Sequence, residues 1–113
     1  ITDRKHDVII RGGENISAVE VEDQILRMPG VAEVAVVAAP DARLGEHACA
    51  FIRMAAGGQP PPSLVDIQCH LAEVGLAKQK WPEEIRAITE LPRTASGKVK
   101  KFELRDLLRA EAV

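Results

Sequence analysis

The segment LPRTASGKVKK, Leu91 to Lys101, holds the residue best suited to chemistry in this chain, Lys98. It stands after Pro92 and the small residues Ala95, Ser96 and Gly97, a composition that suits neither a strand nor a helix interior but does suit an adaptable loop. A lysine carried on such a loop can deliver a point charge to an anion bound elsewhere. The competing reading is that Lys98 is one solvated cation among the 15 Lys and Arg of the chain. A phosphate-cradling P-loop is rejected: it needs G-x-x-x-x-G-K-[ST]. Here Pro92 stands where the first glycine belongs, and Val99 where the magnesium-binding hydroxyl belongs.

A second segment, RGGEN (Arg11 to Asn15), is open to two readings. Gly12 and Gly13 suit a tight turn that needs positive φ. They also leave a backbone surface, with no Cβ in the way, that another molecule can approach closely. The remaining polar residues carry weaker signals. His6, His47 and His70 share no spacing that suggests a metal site. Glu14, Glu20 and Glu22 read as helix-start charges favoured by the dipole rather than as an acid/base pair. Cys49 and Cys69 lack metal or disulfide spacing and fall in apolar-patterned segments, which predicts two buried free thiols. Trp81, just before Pro82, is expected at the edge of the core.

These residues need a scaffold, and 113 residues suit one domain with one modest core. The hydrophobic fraction of 46% and charged fraction of 28% are those of a soluble globular chain. With 3% aromatics and no tyrosine, stacking on bases is not its business. A net charge of −2 supplies no general attraction to nucleic acid or anionic membrane, the cluster Lys98, Lys100 and Lys101 being the local exception. No signal peptide or membrane span is visible, and a reducing cytoplasm fits the free thiols. The start at Ile1 reads as an excised piece of a larger protein.

Along the chain, Asp7–Arg11 predicts a short strand, and Ser17 with Glu20 opens a helix whose apolar face is Val21, Ile25 and Met28. Val31–Pro40 and Ala48–Met54 predict an antiparallel pair joined by a longish loop. After the Gly/Pro-rich stretch Ala55–Ser63, a helix begins at Ser63 and Asp66, with Leu64, Ile67, Leu71 and Val74 on one face. Residues 84–89 predict a third strand, and residues 100–110 a last helix offering Phe102, Leu104, Leu107 and Leu108 for packing. The order β–α–β–β–α–β–α gives an α+β fold, a small, mainly antiparallel sheet with packed helices.

Asp3–Glu22, DRKHDVIIRGGENISAVEVE, resembles the hinge motif of the adenylate-forming enzymes, the superfamily of acyl- and aryl-CoA synthetases, peptide-synthetase adenylation domains and luciferase. Leu91–Arg105 resembles the lysine motif of the same family, and Pro29–Ile52 is similar to it as well. The resemblance implies a C-terminal lid domain over residues 8–113, preceded by a hinge segment over 1–7, with a large N-terminal domain outside the chain. It implies an ATP-dependent acyl-CoA ligase that converts a fatty or aryl carboxylic acid to its acyl-adenylate and passes the acyl group to CoA. It further implies that ATP, Mg2+ and CoA are bound mainly by or with the N-terminal domain. In that family pattern Lys98 is the adenylation lysine, Arg4 contacts the nucleotide, and Gly12, Gly13 and Glu14 line the pantetheine tunnel. His6 and Asp7 fall at the hinge, His6 standing where the family usually has Asp or Lys. The implied partners are the N-terminal domain, the acid and CoA, with a lysine acetyltransferase and deacetylase acting on Lys98. Two alternatives stay open: an adenylation domain loading a carrier protein, and a non-catalytic interaction module of the same fold.

Overall fold

The computed structural model describes residues 8–43, 45–55 and 60–112. Val8–Arg11 (β1) turns back at once into Glu14–Ser17 (β2). Ala18–Ile25 forms the first helix, α1, and Val31–Asp41 and Gly45–Met54 form the long strands β3 and β4. Leu64–Glu73 is α2, Lys78–Lys80 a single 3-10 turn, Glu84–Ala87 the strand β5, and Lys101–Ala112 the helix α3.

The strand order is β2-β1-β4-β3, all antiparallel, with β5 joining β4 in parallel through Cys49↔Glu84 to Ile52↔Ala87. β4 is therefore the centre of the sheet. Alternation along the strands builds two cores. Val36 on β3 and Ala48, Ala50 and Ile52 on β4 face α1 and α2, where Val21, Ile25, Ile67 and Leu71 pack. Ala35, Val37, Cys49 and Phe51 face the other way, against Leu91 and the α3 residues Leu104 and Leu108. A sheet covered on both faces explains why β3 and β4 read as nearly continuous apolar runs. Helix starts follow the expected chemistry: the Ser17 hydroxyl accepts from Glu20 N–H, and Ser63 and Asp66 form a reciprocal capping box.

Four local expectations are corrected. The turn after β1 is followed by a strand, β2, because Ile16 can bury beside Ile9 once the chain reverses. The β3–β4 connection is short, since Pro40↔Glu46 and Asp41↔Gly45 extend the ladder into what reads as loop. On α3 only Leu104 and Leu108 are buried, and Phe102 and Leu107 are about half exposed. Cys69 is exposed, two positions beyond the buried Ile67 and thus on the far side of α2, while Cys49 is buried. Burial raises the Cys49 thiol to about 12, so it stays protonated and inert. Trp81 does pack at the core edge, its indole N–H donating to Leu76 O at 2.9 Å.

Candidate functional site

Lys98 sits on a bonded hairpin. Arg93 and Val99 pair across it as an antiparallel bridge. Thr94 N–H donates to Lys98 O at 2.8 Å, and Gly97 N–H to Thr94 O at 2.9 Å, closing a tight turn. Gly97 occupies the left-handed region at φ +91, and a Cβ there would meet open space. The Thr94 hydroxyl accepts from Lys98 N–H at 3.2 Å and bonds the Ser96 hydroxyl at 2.9 Å, while the Arg93 guanidinium donates to Gly97 O at 2.7 Å. The glycine is a turn residue within this bonded hairpin, where the sequence suggested an adaptable loop. Leu91, buried in the second core, roots the first leg, and the second leg runs into α3. Lys98 itself is exposed.

Each leg is tied to the β3 edge of the sheet by charge. Arg93 pairs with Glu33 of β3, which also pairs with Arg53 of β4. The Lys101 ammonium lies 2.7 Å from Glu22 Oε2, both side chains only 17% exposed, and the same oxygen accepts Val36 N–H at 2.7 Å. Glu22 is thus past the first turn of α1 and serves as an acceptor for the edge of β3, which corrects its reading as a helix-start charge. Glu20 does lie in that first turn, and Lys80 pairs with it at 3.0 Å.

At the other end of the strand order, Gly12 and Gly13 make the two-residue turn between β1 and β2. Their φ values of +57 and +91 follow the type I′ pattern, which needs positive φ at both central residues. Both glycines are exposed, and a Cβ on Gly13 would have nothing within 4 Å. Glu14 opens β2 opposite Arg11. Beside the base of this turn lies a cleft of about 380 Å³ lined by Arg11, Gln68, Lys78, Gln79, Trp81 and Glu83. Arg11 Nε donates to Glu83 Oε1 across it at 2.7 Å. The two glycine-bearing loops therefore belong to different ends of the sheet. Arg4, His6 and Asp7 lie outside the described residues.

His47 bridges Asp41 and Glu84 at 3.0 Å each, and Arg86 continues the chain from Glu84 to Glu111. Among the described residues no group of three His, Cys, Asp or Glu is placed to hold a metal ion. Nor is any described helix long and apolar enough to cross a membrane.

Sequence reading missed Arg93, Lys101, Glu22 and Glu33 as supports of the Lys98 hairpin. No local signal could have found them, because each acid lies far along the chain from its base.

Comparison with known proteins supplies the context. The chain is 47% identical over 110 residues to the medium-chain fatty-acid–CoA ligase of Escherichia coli (strain K12), covering 96% of this chain and 19% of the relative. It is 46% identical over 109 residues to a salicylyl-CoA synthase / salicylate adenylyltransferase of a Streptomyces species, with the same coverage of 96% and 19%. Among solved structures, the acyl-CoA synthetase of Brucella canis matches with a TM-score of 0.85 at 33% identity, over 95% of this chain and 20% of that one. The chain thus spans about a fifth of the length of the relatives it matches. The family described as "AMP-binding enzyme C-terminal domain" matches residues 20–98, and the chain belongs to that family of domains from adenylate-forming enzymes.

Proposed function

We propose that this domain is the mobile lid of an ATP-dependent acyl-CoA ligase and that Lys98 serves its acid-activating step. The observation that carries the reading is the presentation of Lys98: a cation exposed on a bonded hairpin whose base, at Leu91 and Val99, is packed against the second core. Acid activation gathers negative charge where a carboxylate meets the α-phosphate of ATP, and a preorganised ammonium stabilises it. Residues 8–113 act as the lid and 1–7 as its hinge, with Arg4 on the nucleotide and His6 and Asp7 at the pivot.

The Gly12–Gly13 turn and Glu14 serve the second step. A turn without side chains lets the thin pantetheine arm of CoA pass close to the backbone. Placement of the two loops at different ends of the sheet supports a lid that shows one edge in activation and the other in thiol transfer. Acetylation of Lys98 would remove its charge and silence activation alone.

The test uses the full-length enzyme. Lys98→Ala is expected to cripple acid-dependent ATP–pyrophosphate exchange and to spare thioester formation from supplied acyl-adenylate. Equal loss in both half-reactions would overturn the assignment.

A further inference from the structure

We infer that Lys101 with Glu22, and Arg93 with Glu33, are positioning residues that moor the Lys98 hairpin to strand β3. The inference rests on the assignment of Lys98 to acid activation. One pair stands on each leg of the hairpin, and both end on the same strand. Glu33 belongs to β3 itself, and Glu22 reaches it by accepting Val36 N–H at 2.7 Å. β3 is in turn laddered to β4 from Val31 to Asp41, so the hairpin is referred to the best-connected part of the sheet.

The helix does not explain Lys101. It is the first residue of α3, where the dipole favours acids and disfavours cations. Its ammonium is instead drawn back to Glu22, in surroundings where both side chains are 17% exposed and screening by salt is weak. Arg93 works on both sides of the turn at once, pairing with Glu33 and donating to Gly97 O at 2.7 Å. The lysine is therefore carried by the body of the domain and does not search for its target on a slack loop. That matters because a charge misplaced by about 1 Å can lose on the order of 100-fold in rate.

The experiment compares Lys101→Met, Arg93→Met and Lys101→Arg in the full-length enzyme, each alone and Lys101→Met also in a Lys98→Ala background. Lys101→Met and Arg93→Met should each lower kcat for ATP–pyrophosphate exchange by about 10- to 100-fold. KM for ATP and acid, and thioester formation from supplied acyl-adenylate, should change little. Lys101→Arg should restore most of the rate. Lys101→Met should have no further effect once Lys98 is gone, since a mooring has nothing left to position.

Equal loss in the two half-reactions, or an undiminished effect of Lys101→Met in the Lys98→Ala background, would show a general structural role and overturn the inference. Intact exchange in Lys101→Met and Arg93→Met, with Lys98→Ala crippled, overturns the mooring and leaves the assignment of Lys98 standing. Intact exchange in Lys98→Ala overturns both. Should Lys101→Met not fold, Arg93→Met carries the same comparison, because its ion pair is more exposed.

Discussion

Lys98 and Gly13 make opposite predictions. Removing the Lys98 charge should raise the barrier to acid activation by about 3 kcal/mol, on the order of 10²- to 10³-fold in rate. Exchange kinetics of Lys98→Ala measure this directly. Gly13→Leu should instead raise the KM for CoA and slow thioester formation, with exchange unchanged. Because Gly13 sits at φ +91, any side chain there also strains the backbone by about 1–2 kcal/mol. Gly75→Leu is the matching control: its φ is +84 with equally open space, and it lies just past the end of α2, outside the β1–β2 turn itself. If both leucine variants affect the CoA step alike, strain and not obstruction is the cause. Of these two residues, the exposed loop position of Lys98 was legible from its setting among small residues. The conformational need for Gly12 and Gly13 was one of two readings, and the type I′ turn meets that need without ruling on the other.

At the scale of elements, α3 carries the Lys98 hairpin on a narrow apolar stripe. Leu104 and Leu108 are buried against β3 and β4, and Phe102 is 53% exposed. Leu104→Ala should therefore destabilise the isolated domain by about 2–5 kcal/mol, whereas Phe102→Ala should stay within about 1 kcal/mol. Urea unfolding of the two variants separates them, and equal effects would mean that α3 packs through another face. Apolar residues at four positions did predict the helix. Which of them faces the sheet was not readable, because Phe102, Leu104, Leu107 and Leu108 span more than one stripe and only the docked partner selects between stripes. The same limit hid β2: four residues with one buried isoleucine become a strand only because β1 is there to pair with it.

For the whole molecule, the chain His47–Glu84–Arg86–Glu111 joins β4, β5 and the end of α3. Partial burial alone would raise the Glu84 carboxyl, but hydrogen bonds from His47 and Arg86 outweigh it and hold it below its ordinary 4.5. A carboxyl lowered in the folded state contributes stability that is fully present above the unfolded value and is lost as pH falls through the folded one. Glu84→Gln should therefore depress the melting temperature most at neutral pH, with the difference from the parent shrinking below about pH 4.5. A difference that stays constant down to pH 3 would show that the ion pairs do not act through Glu84. Two covered faces and capped helices also predict that the isolated domain folds, with a cooperative melt, yet shows no ATP–pyrophosphate exchange by itself. Measurable exchange would assign catalysis to this domain alone.

The order of most elements, the α+β class and the places of the two glycine-bearing loops were determined by the sequence itself, through local signals: the valine-rich apolar run of β3, S-x-x-E and S-x-x-D at the helix starts, and glycines beside charged residues. Those signals act within a few residues and need no partner. The parallel docking of β5 on β4, the exposure of Cys69 and the mooring of Arg93 and Lys101 were decided by tertiary structure. Each depends on which surfaces meet after the chain has closed long loops. Lys101 shows the difference most sharply: its own helix disfavours a cation, and Glu22, brought close only by folding, is what holds it in place.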